Sequence, residues 1–213
     1  MLKSLLHAVT DTVRSKPAAP AKLPLFPLAS VLFPGGTLSL RVFEARYMDM
    51  AKACLKNGSP FGITLIAEGR EVGAPATPER VGTLARITEW DIQEIGILQL
   101  RVKGEQRFRL SSHYPLSTGL LIGEMDLIPA DMPIECAELP ACAAFLRKVL
   151  TQTGRMNPES EVCLSEADWV SFRITEILPF SNAVKQKMLE LTDVRMRLEV
   201  LHRFLRDQQL ITA

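Results

Sequence analysis

The chain has 213 residues, 47% of them hydrophobic, which is enough for one substantial core or two small packed lobes. Its 25 basic and 24 acidic residues leave a formal net charge of +1, so no global field draws it to nucleic acid or an anionic membrane. No run approaches the roughly 18 apolar residues of a membrane span, and the start lacks a signal peptide's continuous apolar stretch and cleavage site; the expected location is cytoplasmic.

Residues 1–22 read as leader and linker. Leu2, Leu5, Leu6, Val9 and Val13 have helical spacing, and KPAAPAK at 16–22 is linker-like. From Leu23 the pattern turns to short extended runs. Pro24, Pro27 and Pro34 cannot donate to a sheet ladder, which predicts that this stretch follows edges and turns instead of forming a central strand. Gly35 and Gly36 permit a sharp bend, after which Leu38, Leu40 and Val42 alternate as a strand. Phe43, Tyr47, Met50 and Cys54 then mark the core face of a helix that stops at Asn57 and Gly58.

Strands are predicted over 60–67, 82–93, 96–103, 105–110 and 118–126, with Trp90 and Ile92 sharing an inward face with Leu98, Leu100 and Val102. Ala67 to Arg80, with Gly69, Gly73, Pro75 and Pro78, reads as a long surface loop suited to recognition. IPADMP, from Ile128, is the expected hinge to a helical lobe over 129–213. Its first helix begins near Pro140, carries Cys142, Leu146 and Val149 on one stripe, and ends at Gly154. A second starts at Ser165 with an S-x-x-D arrangement to Asp168 and stops before Pro179. Ser181 or Asn182 caps a third, and Thr192 or Asp193 a fourth.

Three stretches resemble the N-terminal, substrate-binding domain of Lon proteases. These are LPLFPLASVLFPGGTLSLRVFEARYMDM at 23–50, VGTLARITEW at 81–90 and LQLRVKGEQRFRL at 98–110, the last with the hydrophobic-V-x-G-x-x-R-hydrophobic pattern at Val102, Gly104 and Arg107. WVSFRITEILPFSNAVKQKMLEL at 169–191 is similar to the helices of short bacterial proteins built from this domain alone. The resemblance runs from Leu23 to the end. It implies an α+β fold, with a PUA-like antiparallel β pseudo-barrel and one inserted helix over 23–128, then a helical bundle. It also implies recognition of unfolded or tagged polypeptides by a free-standing, non-catalytic member.

Catalytic equipment is not evident. There is no GxxxxGK[ST] loop to cradle nucleotide phosphates and no counterpart of a Ser-Lys peptidase domain. Cys54, Cys136, Cys142 and Cys163 form no CxxC pair or Cys/His cluster, so neither metal nor cofactor is expected, and the thiols read as reduced core residues. Ser111, Ser112 and His113 are neighbours on an extended segment with no orienting carboxylate. Glu135 with Glu138, and Glu159 with Glu161, read as solvated surface. A hydrolase reading would need a deep polar pocket between the lobes.

Arg101, Lys103, Arg107 and Arg109 alternate and could form a basic stripe for RNA, but Glu105 interrupts it and no aromatic platform joins it. In the final helix Val194, Leu198, Leu201 and Leu205 suffice to dock it, while Met196, Val200 and Phe204 widen the apolar arc to about half the circumference. That second flank, exposed in a cleft between the lobes, is the sequence's candidate for binding a polypeptide client.

Overall fold

The first strand, β1 (Ala21–Leu28), is an interior strand despite its two prolines. It changes neighbours midway. Ala21–Leu25 lie antiparallel to β6 (Leu121–Leu127), and Leu25–Leu28 lie parallel to β3 (Phe61–Glu68). Pro24 and Pro27 each fall in a half with a ladder on one side, which a residue lacking an N–H tolerates. The edge expected from the prolines is thus local to each half and not a property of the whole strand.

The computed structural model describes residues 21–94, 96–130 and 137–211; the expected leader helix, Glu135, Cys136 and the second half of the hinge lie outside them. The remaining strands are β2 (Thr37–Val42), β4 (Thr77–Glu94) and β5 (Ile97–Pro115). The sheet order is β2-β5-β4-β3-β1-β6, and β5 also pairs with β6, which closes a pseudo-barrel. All pairs are antiparallel except β1 with β3, so the sheet is mixed.

Helix α1 (Ala45–Asn57) follows β2 and buries Tyr47, Met50 and Cys54 as expected, ending on Gly58 at φ +62°. Phe43 does not join that face: it precedes the helix, whose cap Glu44 is extended, so helical spacing does not apply to it. Trp90 and Ile92 are also more than half exposed. The ladder slips between Ile87 and Glu89, and residues 88–92 are exposed beyond the slip. Alternation assigns a face but not the length of hairpin that other elements cover.

Gly104, read as a break between two strands, instead lies inside the single strand β5. Its N–H donates to Gly36 O and its carbonyl accepts from Gly35 N, both at 2.8 Å. A Cβ at Gly104 would stand 2.2 Å from Phe33 O, so the glycine permits the PGG turn to seat on the strand. Arg107 is buried and donates to the carbonyls of Leu189 and Leu191.

The C-terminal elements are α2 (Leu139–Gln152), α3 (Pro158–Cys163), α4 (Ala167–Ile177), α5 (Asn182–Glu190) and α6 (Val194–Asp207). Among the described residues five helices stand where four were expected. The short α3 has Pro158 in its first turn, and Asn157 Oδ1 accepts from Ser160 N at 2.8 Å. Ser181 and Asp193 cap α5 and α6 through their side chains. The S-x-x-D box does not form: Ser165 Oγ donates back to Val162 O, Glu166 holds the cap position, and Asp168 pairs with Arg197.

Helix packing centres on Cys142, Leu146, Val170, Ile174, Leu198, Leu201 and Leu205. A separate cluster joins barrel to helices through Val31, Phe33, Leu65, Val81, Ile128, Phe172 and Leu189. Among the described residues no helix is long and apolar enough to cross a membrane.

Candidate functional site

The groove that stands out lies where β2, the start of α1 and the loop before β4 converge. It has a volume of about 470 Å³. Phe26, Leu28, Leu40, Val42 and Tyr47 supply its apolar lining, and Phe26 stacks on Tyr47 with ring centroids 4.1 Å apart. At the rim Phe43 and Val72 are 55% and 56% exposed. Large side chains so open beside an apolar concavity mark a surface that gains by being covered.

Arg46 holds this groove in shape. Its guanidinium is buried, pairs with Glu44 at 2.8 Å, and donates to Gly119 O at 3.0 Å and Gly73 O at 2.9 Å. One side chain therefore ties α1 to two loops, one of them carrying Glu71 and Val72. Glu71 in turn accepts from Ala29 N at 2.5 Å. The long surface loop expected over Ala67–Arg80 is shorter, since β3 runs to Glu68 and β4 starts at Thr77, and it is held on both sides of Val72. Arg46→Ala should release it: we expect faster amide exchange across residues 69–76 and a loss of about 2 kcal/mol in urea unfolding, with unchanged exchange across that loop contradicting the assignment.

The sequence-derived candidate on α6 is placed differently. Met196 and Val200 are each 48% exposed, while Phe204 is partly covered and meets Phe180 edge-on at 4.8 Å. None of the three lines this groove.

A second cavity of about 380 Å³ lies between barrel and helices, lined by Lys103, Arg155, Glu159, Ser160, Cys163, Trp169, Arg173 and Glu176 among others. It is the polar interlobe pocket a hydrolase would need, but its lining contains no histidine. Burial first, then Glu166 and Glu159, push the Cys163 thiol above its ordinary value, the reverse of nucleophile activation. Burial likewise raises the Glu176 carboxyl and lowers Arg173, but the two are paired with each other. Arg173 also donates to Pro34 O, so the pair serves to seat the turn before β2 against α4.

Other sequence candidates separate. Arg107 leaves the basic stripe by being buried, Arg101 approaches Glu89 at 3.5 Å, and Lys103 approaches Glu159 at 3.4 Å. Trp90 is exposed beside Arg101 in a shallow third cavity, which Glu89 and Asp91 also line. Ser111 and Ser112 bond the backbone and the carboxylate of Glu124, which also holds Lys22 at 2.7 Å. A fourth cavity, on the surface of α6, is lined by charged groups and His202. Among the described residues no group of three or more His, Cys, Asp or Glu is placed to hold a metal ion. The groove residues Phe43 and Val72 were not singled out as binding residues by the sequence, because Phe43 fits a helical core pattern and Val72 is a lone apolar residue in a loop.

Residues 22–207 match the family model of the substrate-binding domain of the ATP-dependent protease La (LON). Relatives include a Lon protease of Anaeromyxobacter dehalogenans, 25% identical over 201 residues, covering 88% of this chain and 23% of that protein. Lon protease 2 of Myxococcus xanthus is 26% identical over 201 residues, covering 88% and 24%. The chain thus spans about a quarter of the length of these relatives. Among solved structures, a Lon N-terminal domain protein from Xanthomonas campestris aligns with a TM-score of 0.72 and 37% identity, over 85% of this chain and 96% of the other. The N-terminal domain of a Mycobacterium avium complex Lon protease aligns with a TM-score of 0.62 and 19% identity, over 88% and 99%, and is similar in fold.

Proposed function

The chain belongs to the Lon substrate-binding domain family, and from that membership we propose that it is a non-catalytic module that recognises polypeptides, acting as a substrate receptor or adaptor. The observation that carries the reading is the apolar groove of about 470 Å³ with Phe43 and Val72 open at its rim. An unfolded client exposes apolar side chains that a folded protein hides, so a groove of this kind selects unfolded chains by the hydrophobic effect alone. A cytoplasmic location belongs to the same proposal. Met196, Val200 and Phe204 on α6 are proposed as a second, auxiliary contact, supported by the half-exposure of the first two.

Hydrolysis has less support, because the interlobe cavity pairs no base with Ser160 or Cys163. RNA binding has less again, because Arg107 of the stripe is buried and Arg101 and Lys103 face carboxylates.

The test is fluorescence anisotropy with labelled β-casein as an unfolded probe. Phe43→Asp and Val72→Asp should each weaken binding about tenfold, corresponding to about 1.4 kcal/mol, with little change in stability because both side chains are already exposed. Met196→Asp and Val200→Asp should have the smaller effect. If wild-type protein does not bind the probe, or if it cleaves it without added factors, the reading fails.

A further inference from the structure

Opposite its pairing with β4, β5 offers one side to two strands in succession. Residues 98–103 take β2, and residues 108–115 take β6. On the far side of β6 lies β1, but only as far as Leu25; Phe26–Leu28 continue past the end of that ladder, bonded to β3 alone. The two strands β1 and β2 do not pair, yet Phe26 and Leu28 share the lining of one groove with β2. Among the described residues the sheet is therefore open between these two strands, beside the part that β6 closes, with an unpaired strand edge on either side, and the groove lies in the opening, lined by Phe26 and Leu28 from one strand and Leu38 to Val42 from the other.

Among the described residues no backbone group bonds the second edge of β2. Six residues long, it presents an edge of roughly 20 Å at about 3.3 Å per residue. Across the opening, the amide just beyond β1, Ala29 N–H, has drawn in the Glu71 carboxylate as its acceptor. A row of unpaired donors and acceptors at strand spacing complements only another extended backbone, because a helix spends its own groups internally.

Resting on the polypeptide-recognition reading above, we propose that the client segment binds in extended form as an added strand on the free edge of β2, with every second side chain directed into the groove. Backbone pairing provides affinity that does not depend on sequence, and the apolar lining requires only alternate apolar residues. Such a site accepts many unfolded chains and rejects folded ones, whose extended segments are already paired.

The experiment uses the full chain and a fluorescein-labelled seven-residue peptide of alternating threonine and valine. Two variants of the peptide are N-methylated, one on all valines and one on all threonines. Successive residues of a strand point their N–H groups to opposite sides, so one set should weaken binding about thirtyfold and the other by no more than about twofold. In parallel, hydrogen exchange should show alternate β2 amides exchanging fast in the protein alone and slowing when the unmethylated peptide is added. Binding of the unmethylated peptide with equal effects of the two methylated sets, small or large, overturns strand pairing while leaving polypeptide recognition standing. Failure of both this peptide and β-casein to bind overturns the recognition reading itself. Protection of the whole of β2 in the protein alone also overturns the proposal: if independent of concentration, the chain's own segment holds the edge, and if it grows with concentration, a second copy does.

Discussion

Phe172→Ala should lower the free energy of unfolding by about 4 kcal/mol, and with it the melting temperature by about 10 °C. The ring is fully buried on α4 and belongs to the cluster that joins barrel to helices. It packs against Phe33 of the barrel with centroids 5.5 Å apart. It also carries two guanidinium groups, Arg107 from β5 at 5.3 Å and Arg197 from α6 at 4.3 Å. Removing it leaves a cavity and strips both cations of their aromatic face, so loss of packing and of cation–π attraction act together. Urea unfolding followed by circular dichroism measures the loss. A drop below about 1 kcal/mol would mean that the site collapses freely and that this ring does not hold the joint.

Arg197→Met should cost about 3 kcal/mol. Arg197 is fully buried, pairs with Asp168, bonds Ser171 Oγ at 3.1 Å and caps Leu191 O at 2.5 Å. Methionine keeps much of the volume, so the loss reports the polar network together with the cation–π contact to Phe172. Asp168 is partly exposed and can hydrate when its partner goes, which keeps the expected cost at the low end for a broken buried pair. In a double-mutant cycle, Arg197→Met with Asp168→Asn should fall short of additivity by at least about 1 kcal/mol. Additive losses would show that Asp168 does not help to hold the guanidinium.

The effects expected at the groove are smaller, since Phe43 and Val72 are exposed and, in the proposed function, only a bound client would cover them. This separation gives the two kinds of variant different signatures. Changes at Phe172 or Arg197 should act on unfolding, and changes at Phe43 or Val72 should act on the proposed binding with the fold intact.

Local pattern accounts for much of what was legible in the chain. Tyr47, Met50 and Cys54 repeat at helical spacing and are buried together; Val194, Leu198, Leu201 and Leu205 do the same on α6. Gly58, Ser181 and Asp193 were readable as helix ends because a left-handed residue or a side-chain acceptor satisfies backbone groups within one turn. The family resemblance rests on residues that now have separate physical duties. The glycines of PGG and Gly104 permit close backbone approach, Arg46 ties two loops to α1, and Arg107 reaches from barrel to helices.

Pattern failed where the answer depended on partners distant in sequence. Asp168 looked like a cap but found Arg197, 29 residues away. Arg107 looked solvated because it alternates with exposed basic residues, yet the carbonyls that bury it come from the end of α5. Trp90 and Ile92 were assigned inward by a parity that a ladder slip interrupts.

The sequence by itself determined the element types, the order of barrel before helices and the family, because these follow from periodicity, caps and a linear motif. Only the tertiary structure decided which apolar residues remain uncovered and where the barrel stays open. An unpaired edge on β2 and an exposed Phe43 are absences of neighbours among the described residues, and a neighbour is a matter of how β1, β5 and β6 share their edges across nearly a hundred residues of chain.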